Sequence, residues 1–309
     1  MFIEEYLQDL RRDRFAPAAL VLYARRVAAR AREQLYANPA TVRSVWSVAL
    51  GIFAAAFVAA AGMALLYDRH LAADFLLYTA LWILPSFGLV TLFLELLRDR
   101  DGYRLSSINV PVTLTLFRLT LVPGLVLFLV EGHFRVALLL YGLASLTDIA
   151  DGWVARRWNQ VTRLGAVLDP QVDIVFNLGL LFALAHAQVV PGWVFALAAL
   201  RYAILLVGGA CLYVFVGPVR IYPTLFGRLT GVVMTALIAM LLTLHALGGR
   251  LGGHLRDRLE TLTVTALAVM LAATVIHVVA LGWYNLRLMT GAAKQARGRV
   301  VGDVRWGAK

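Results

Sequence analysis

Four aspartates lie within a short stretch of an otherwise apolar chain, at Asp148, Asp151, Asp169 and Asp173. The first two are three residues apart and the last two are four apart, so each pair shares one face of a helix. A carboxylate at bilayer depth costs roughly 2.5 to 3.5 kcal/mol even on lenient insertion scales. Four together therefore indicate a site that binds a compensating cation or encloses water.

The residues between the two pairs indicate which chemistry such a site performs. Gly152 lets a ligand approach the backbone closely, and Arg156 carries a planar guanidinium that suits phosphate oxygens. Carboxylates beside a phosphate-binding arginine indicate a divalent cation that bridges protein and substrate, which predicts phosphoryl transfer. All-oxygen ligands favour Mg²⁺ or Mn²⁺, whereas zinc sites usually recruit His or Cys, and none of the six histidines is close in sequence.

Membrane-spanning helices must position these residues. The chain is 61% hydrophobic, and apolar runs of about 20 residues, the length that crosses a hydrocarbon core, recur along it. The predicted fold class is all-α, a polytopic membrane helical bundle with about eight transmembrane helices. The spans are predicted at residues 45–67, 75–97, 110–130, 134–155, 165–186, 193–216, 229–247 and 263–286.

The distribution of charge predicts the orientation of this bundle. The net charge of +11 does not indicate a nucleic-acid partner, because the arginines lie beside hydrophobic runs and fit orientation signals better. They concentrate in the N-terminal segment and after the even-numbered spans, which predicts that these ends face the cytoplasm. The aspartate pairs flank one such connection. We therefore expect an active site on the cytoplasmic side of the cell inner membrane.

The aspartates also belong to a longer pattern of fixed spacing, made up of Asp148, Asp151, Gly152, Ala155, Arg156, Gly165, Asp169 and Asp173. This pattern resembles DxxDGxxAR, eight residues, then GxxxDxxxD, the signature of the CDP-alcohol phosphotransferases of phospholipid synthesis. The segment INVPVTLTLFRLTLVP at 108–123 looks like the first core span of that family. The resemblance implies a six-helix catalytic core and a homodimer.

The resemblance also implies roles for individual residues. Asp148, Asp151 and Asp169 would hold one metal ion, Mg²⁺ or Mn²⁺. Asp148, Asp169 and Asp173 would hold a second, and Asp173 would accept the proton of the attacking alcohol. Gly152, Arg156 and Thr162 would contact the CDP moiety, helped by the segment at 112–115 with Val112, Thr113 and Thr115. Ala155 and Gly165 of the signature are also assigned to substrate binding. Arg118 lies within an apolar run and is a candidate ligand for a phosphate of the acceptor.

The reaction implied is transfer of a phosphatidyl group from CDP-diacylglycerol to a polar alcohol, with release of CMP. The segment GAVLDPQVD at 165–173 resembles relatives that transfer to glycerol 3-phosphate, which favours that acceptor. Ile174 and Val112 stand where many relatives carry Lys or Arg and Asn, respectively. Inositol phosphate, serine and a second phospholipid therefore stay open as acceptors.

Four segments are predicted along the chain. Residues 1–43 form a basic amphipathic juxtamembrane segment that meets membrane lipids, and residues 44–104 carry two extra transmembrane helices. Residues 105–290 form the core, and residues 291–309 form a basic cytoplasmic tail. The single cysteine, Cys211, excludes an intrachain disulfide and is predicted to be a small core residue.

Two other functions remain open at this point. A membrane prenyltransferase also uses Asp-rich helices and Mg²⁺, but such enzymes carry aspartate motifs in separate halves of the bundle, whereas all four aspartates here fall within 148–173. A cation transporter would line an ion path with carboxylates. It would need polar groups that continue across the bilayer, and the last three spans offer almost none.

Overall fold

The computed structural model describes residues 12, 16–215, 225–248 and 252–306. Eight continuous helical stretches among these residues are long and apolar enough to cross a membrane, which confirms the predicted helical bundle. In chain order the helices are α1 (Pro17–Ala37), α2 (Pro39–Leu66), α3 (Arg69–Leu92), α4 (Val110–Val130), α5 (Phe134–Arg157), α6 (Arg163–His186), α7 (Gly192–Ala203), α8 (Gly209–Phe215), α9 (Leu225–Leu247) and α10 (Gly253–Trp306).

Each predicted span overlaps a helical stretch of the structure, but several bounds differ. The first two spans begin at Pro39 and Arg69 rather than at residues 45 and 75, and the last helix begins at Gly253 rather than at residue 263. The second span ends at Leu92 rather than at residue 97, because a 3₁₀ turn at Leu94–Leu96 follows α3. The sixth is made of α7, a π-helical segment at Ile204–Gly208 and the start of α8, and its predicted end at 216 lies outside the described residues. The last helix continues to Trp306. Cys211 is exposed, so its predicted core position was wrong.

Six helices form a closed ring around the core. α4 packs against α5 and α6, α5 against α9, α9 against α10, α10 against α7, and α7 against α6. α4 is the most enclosed, with 67% of its apolar window buried in protein compared with 11% for α2. The fully buried side chains of the ring include Leu125, Leu129, Leu180, Leu181, Leu241, Leu242 and Leu267.

The two extra helices pack against each other, and α3 connects them to the ring through α4. Gly124 of α4 makes this contact close, because a Cβ there would lie 2.7 Å from Cε2 of Phe75 on α3. The Phe75 ring is itself stacked on Phe128, with centroids 5.8 Å apart, so it has little room to move. The indole nitrogen of Trp82 donates to the carbonyl of Leu119 at 2.9 Å.

We expect Gly124→Ala to destabilise the protein, although Ala normally favours a helix over Gly. Overpacking of this kind costs about 1 to 3 kcal/mol, because the added methyl group would displace the stacked Phe75 ring. The measurement is the midpoint of thermal unfolding in detergent. Gly142→Ala on α5 is the matched control, since no atom lies within 4 Å of its added Cβ. Equal midpoints for the two variants would contradict the close contact.

The extra helices also brace the end of the bundle where α4 and α6 begin. The hydroxyl of Thr41 donates to the carbonyl of Leu105 at 3.3 Å, and the hydroxyl of Ser44 accepts from the backbone nitrogen of Ile108 at 3.0 Å. In turn, the carbonyl of Arg98 accepts from the backbone nitrogen of Arg163 at 3.0 Å. The segment between α3 and α4 is therefore fixed on both sides.

Candidate functional site

The four aspartates lie near one end of the ring, on the last turns of α5 and the first turns of α6. Thr162 starts α6, because its hydroxyl accepts from the backbone nitrogen of Gly165 at 3.1 Å. In the short turn between the helices, Asn159 adopts a φ of 51°, in the left-handed region that Asn tolerates. The side chain of Asn109, which caps α4, donates to the carbonyl of Gln160 at 2.6 Å. These contacts hold the starts of α4 and α6 beside the end of α5.

Arg118 of α4 projects into the space between the two aspartate pairs. Its Nη1 forms an ion pair with Asp148. Its Nη2 lies 3.7 Å from Oδ2 of Asp151 and 3.2 Å from Oδ1 of Asp173. The residue is only 3% exposed. One buried guanidinium therefore contacts carboxylates from both α5 and α6.

Thr115 lies one turn before Arg118 on the same face of α4. Its hydroxyl is 2.8 Å from Oδ1 of Asp169 and 3.3 Å from Oδ2 of Asp151, and the residue is 1% exposed. Together, Thr115 and Arg118 touch all four carboxylates. The structure thus brings the four predicted aspartates to one place, around two side chains of a third helix.

The array has a buried floor and an open rim. The side chain of Asp151 is 9% exposed, whereas those of Asp148 and Asp173 are 54% and 52% exposed. Asp169 is half-buried beside Thr115. A substrate can therefore reach the rim, while the floor is held by contacts within the protein.

The donor set suits a hard divalent cation, since four carboxylates supply only oxygen ligands. Within the described part of the chain, however, no three acidic, His or Cys side chains are already arranged around a common metal position. The carboxylates turn toward Arg118 instead. The residues present fit a metal by chemistry, and they would have to turn away from the guanidinium to bind it.

Gly152 and Arg156 form a second part of the site, next to the carboxylates. The Nη1 atom of Arg156 lies 3.3 Å from the position that a Cβ would take at Gly152. The glycine therefore lets the guanidinium lie close along α5. Arg156 is exposed and Ala155 is half-buried beside it, so the arginine is accessible to a ligand.

The remaining predicted substrate residues lie where α4 meets α6. A Cβ on Gly165 would be 3.2 Å from the Thr162 hydroxyl and 3.6 Å from Cγ2 of Val112, so this glycine permits a close approach of the two helices. Val112 is 1% exposed, and the hydroxyl of Thr113 donates to the carbonyl of Asn109 at 3.1 Å. These residues shape the start of α4, and their contact with a nucleotide stays a prediction.

Sequence reasoning missed how α4 takes part in the carboxylate array. Thr115 was assigned to the nucleotide and Arg118 to an acceptor phosphate, whereas in the structure both contact aspartates. The spacing of Thr115 and Arg118 was a signal that the two side chains act at one place, because residues three apart share a helix face. A further cation, Arg201, lies on α7 with its guanidinium 5.0 Å from the ring centroid of Tyr202, and α7 packs against α6, which carries Asp169 and Asp173.

Comparison with known proteins gives matches over the core. A family model described as CDP-alcohol phosphatidyltransferase matches residues 108–286. A probable cardiolipin synthase (CMP-forming) of Drosophila melanogaster is 32% identical over 107 residues, 34% of this chain and 33% of that protein. The cardiolipin synthase (CMP-forming) of Rattus norvegicus is 41% identical over 84 residues, 27% of this chain and 28% of that protein.

One bacterial relative matches a shorter stretch at higher identity. The CDP-diacylglycerol–glycerol-3-phosphate 3-phosphatidyltransferase of Escherichia coli (strain K12) is 49% identical over 70 residues, 22% of this chain and 38% of that protein. The matched stretch thus spans between 28% and 38% of the length of these three relatives.

Proposed function

The chain belongs to the CDP-alcohol phosphatidyltransferase family, and on that premise we propose that it transfers a phosphatidyl group from CDP-diacylglycerol to a polar alcohol and releases CMP. The observation that carries the proposal is the meeting of all four signature carboxylates around Thr115 and Arg118 at one end of the six-helix ring. A carboxylate array of this kind suits a reaction on a diphosphate, because it can hold the metal ions that such reactions use.

The carboxylates are proposed to share two metal ions, Mg²⁺ or Mn²⁺. Asp148, Asp151 and Asp169 would hold the first ion. Asp148 and Asp169 would hold the second together with Asp173. Bound there, the metal ions would neutralise the diphosphate and stabilise the charge on departing CMP.

Protein side chains would carry the other steps. Asp173 stands on the exposed rim, where a carboxylate oxygen can take the proton from the attacking hydroxyl. Arg156 would bind a phosphate oxygen of the donor with its planar fork, and Gly152 would leave the space for that contact. The acyl chains of the donor would remain in the lipid and lie along an exposed apolar face of α5. The exposed side chains of this face are Leu143, Leu146, Ile149 and Trp153.

Glycerol 3-phosphate is the acceptor we propose. The Escherichia coli relative is named for transfer to glycerol 3-phosphate. Arg201 would supply a cation for an acceptor phosphate, because it lies on α7, which packs against α6 of the carboxylate array. The second candidate is a phospholipid acceptor, because the animal relatives are named as cardiolipin synthases that form CMP.

We propose that the protein lies in the inner membrane of the cell and that its site faces the cytoplasm. The connections at the carboxylate end carry Arg98, Arg100, Arg104, Arg157 and Arg163, in keeping with the excess of positive charge on cytoplasmic loops. A homodimer, expected from the family, stays a prediction.

We expect purified protein in detergent to release CMP from CDP-diacylglycerol only when Mg²⁺ or Mn²⁺ and an acceptor are present. The acceptors to compare are glycerol 3-phosphate, inositol phosphate, serine and phosphatidylglycerol, and we expect glycerol 3-phosphate to give the highest rate. Asp169→Asn, which removes a ligand of both proposed metal ions, is the inactive control.

Two further assays on the same protein test the alternatives, with a prenyl diphosphate as substrate and with the protein in liposomes. Release of pyrophosphate from a prenyl diphosphate would favour a prenyltransferase. Metal flux into liposomes without CMP release would favour a transporter. Folded protein that releases no CMP with any of the four acceptors would contradict the proposed reaction.

A further inference from the structure

Among the described residues, Arg118 is the only positively charged side chain that forms ion pairs within the aspartate array. It pairs with three of the four aspartates. It is 3% exposed and belongs to α4, the most enclosed helix of the ring. Four carboxylates near one another in this setting repel each other and lose hydration. One buried cation therefore carries most of the compensation when no metal ion is bound.

The hydrogen bonding of Arg118 indicates that this pairing is not a fully satisfied structural salt bridge. Its Nε and Nη2 atoms are buried and have no hydrogen-bond partner of good geometry among the described residues, although Nη2 is 3.2 Å from Asp173. Buried arginines that serve only the fold usually satisfy such donors, because an unpaired donor is costly. The guanidinium is held here mainly by charge, so another cation can replace it.

We propose that Arg118 is the counter-ion of the metal-free carboxylate array and competes with divalent metal ions for the same oxygens. The inference rests on the proposed function, since it takes these carboxylates as the metal site. A guanidinium that contacts Asp148, Asp151 and Asp173 repels a divalent ion bound between them. Arg118 therefore stabilises the metal-free protein and weakens metal binding.

The test compares wild-type protein with Arg118→Gln, which keeps a polar side chain and removes the charge. Two quantities are measured on full-length protein in detergent without donor or acceptor: the midpoint of thermal unfolding in EDTA and in Mn²⁺, and the dissociation constant for Mn²⁺ from electron paramagnetic resonance of free Mn²⁺. In EDTA we expect the midpoint to fall by several degrees. In saturating Mn²⁺ the difference should shrink, and Mn²⁺ should bind about tenfold more tightly.

Two further variants separate the charge of Arg118 from general effects. Arg118→Lys keeps the positive charge, so its midpoint in EDTA and its Mn²⁺ affinity should stay close to those of the wild type. Arg157→Gln removes a charge from an exposed residue at the end of α5 that forms no ion pair with the described residues. It should change neither quantity.

The outcomes decide for or against the inference in each case. If Arg118→Gln can be purified only with Mn²⁺ present throughout, the counter-ion role is supported. If it binds Mn²⁺ no more tightly than the wild type, or is equally unstable with and without Mn²⁺, the inference is overturned while the metal site stands. If the wild type binds Mn²⁺ no better than Asp169→Asn, the metal site and the proposed function fail together.

Discussion

We expect Asp173→Asn to abolish turnover while the protein still binds CDP-diacylglycerol. The amide is nearly the same size as the carboxylate but cannot accept the proton of the attacking hydroxyl. Loss of a positioned general base lowers the rate by about 10² to 10⁴. Asp173 lies on the exposed rim, whereas Asp151 and Thr115 lie in the buried floor, so the change should leave the fold intact. The measurements are CMP release and the binding of a labelled CDP-lipid.

The matched control is Asp257→Asn, the same chemical change at an exposed residue near the start of α10, away from the carboxylate array. It should leave both CMP release and donor binding unchanged. Activity of Asp173→Asn near that of the wild type would remove the assignment of Asp173 as the base. Loss of donor binding together with turnover would instead make Asp173 chiefly a ligand of the metal ions.

The fold could be predicted from the sequence because the physical rule is simple. A helix that crosses lipid must be apolar over a nearly fixed length, and the eight runs of this chain meet that rule. The ends were less certain. α3 ends at Leu92, before the charged segment at 98–109, and the apolar residues of the 3₁₀ turn that follows it were assigned to the span.

The convergence of the aspartates could also be predicted, because spacings of three and four are local features of a helix. The part played by α4 could not. Thr115 and Asp151 are 36 residues apart in the sequence. The run from 110 to 130 is apolar except for a few polar residues. The structure shows that α5 and α6 pack chiefly on α4 rather than on each other. Which helix lies between two others depends on long-range packing.

The close contacts at glycines could not be predicted from the sequence either. Gly165 matches the signature by sequence, yet its contact with Val112 on α4 appears only in three dimensions. Gly124 has no motif at all, although its contact with Phe75 joins the extra helices to the core. A glycine that permits a close approach is recognised only once its neighbour is known.

Thr115→Val tests whether α4 positions the carboxylates, and we expect both CMP release and Mn²⁺ affinity to fall by about 10- to 100-fold. Valine has almost the same shape as threonine but lacks the hydroxyl that lies 2.8 Å from Asp169 and 3.3 Å from Asp151. Without this hydroxyl, the half-buried carboxylate of Asp169 loses a hydrogen-bond partner and can adopt other rotamers. Turnover and Mn²⁺ binding are measured on the same preparation.

Thr120→Val is the matched control on the same helix. Its hydroxyl donates only to the carbonyl of Phe117, at 2.7 Å, and the residue is 4% exposed, so the two substitutions disturb packing equally. Thr115→Ser keeps the hydroxyl and should retain most of the activity. If Thr115→Val weakens the binding of CDP-lipid but not of Mn²⁺, Thr115 contacts the nucleotide, as the family resemblance implies. If it behaves as Thr120→Val does, its hydroxyl plays no part in the reaction, and the carboxylates of α5 and α6 are positioned by Arg118 and helix packing alone.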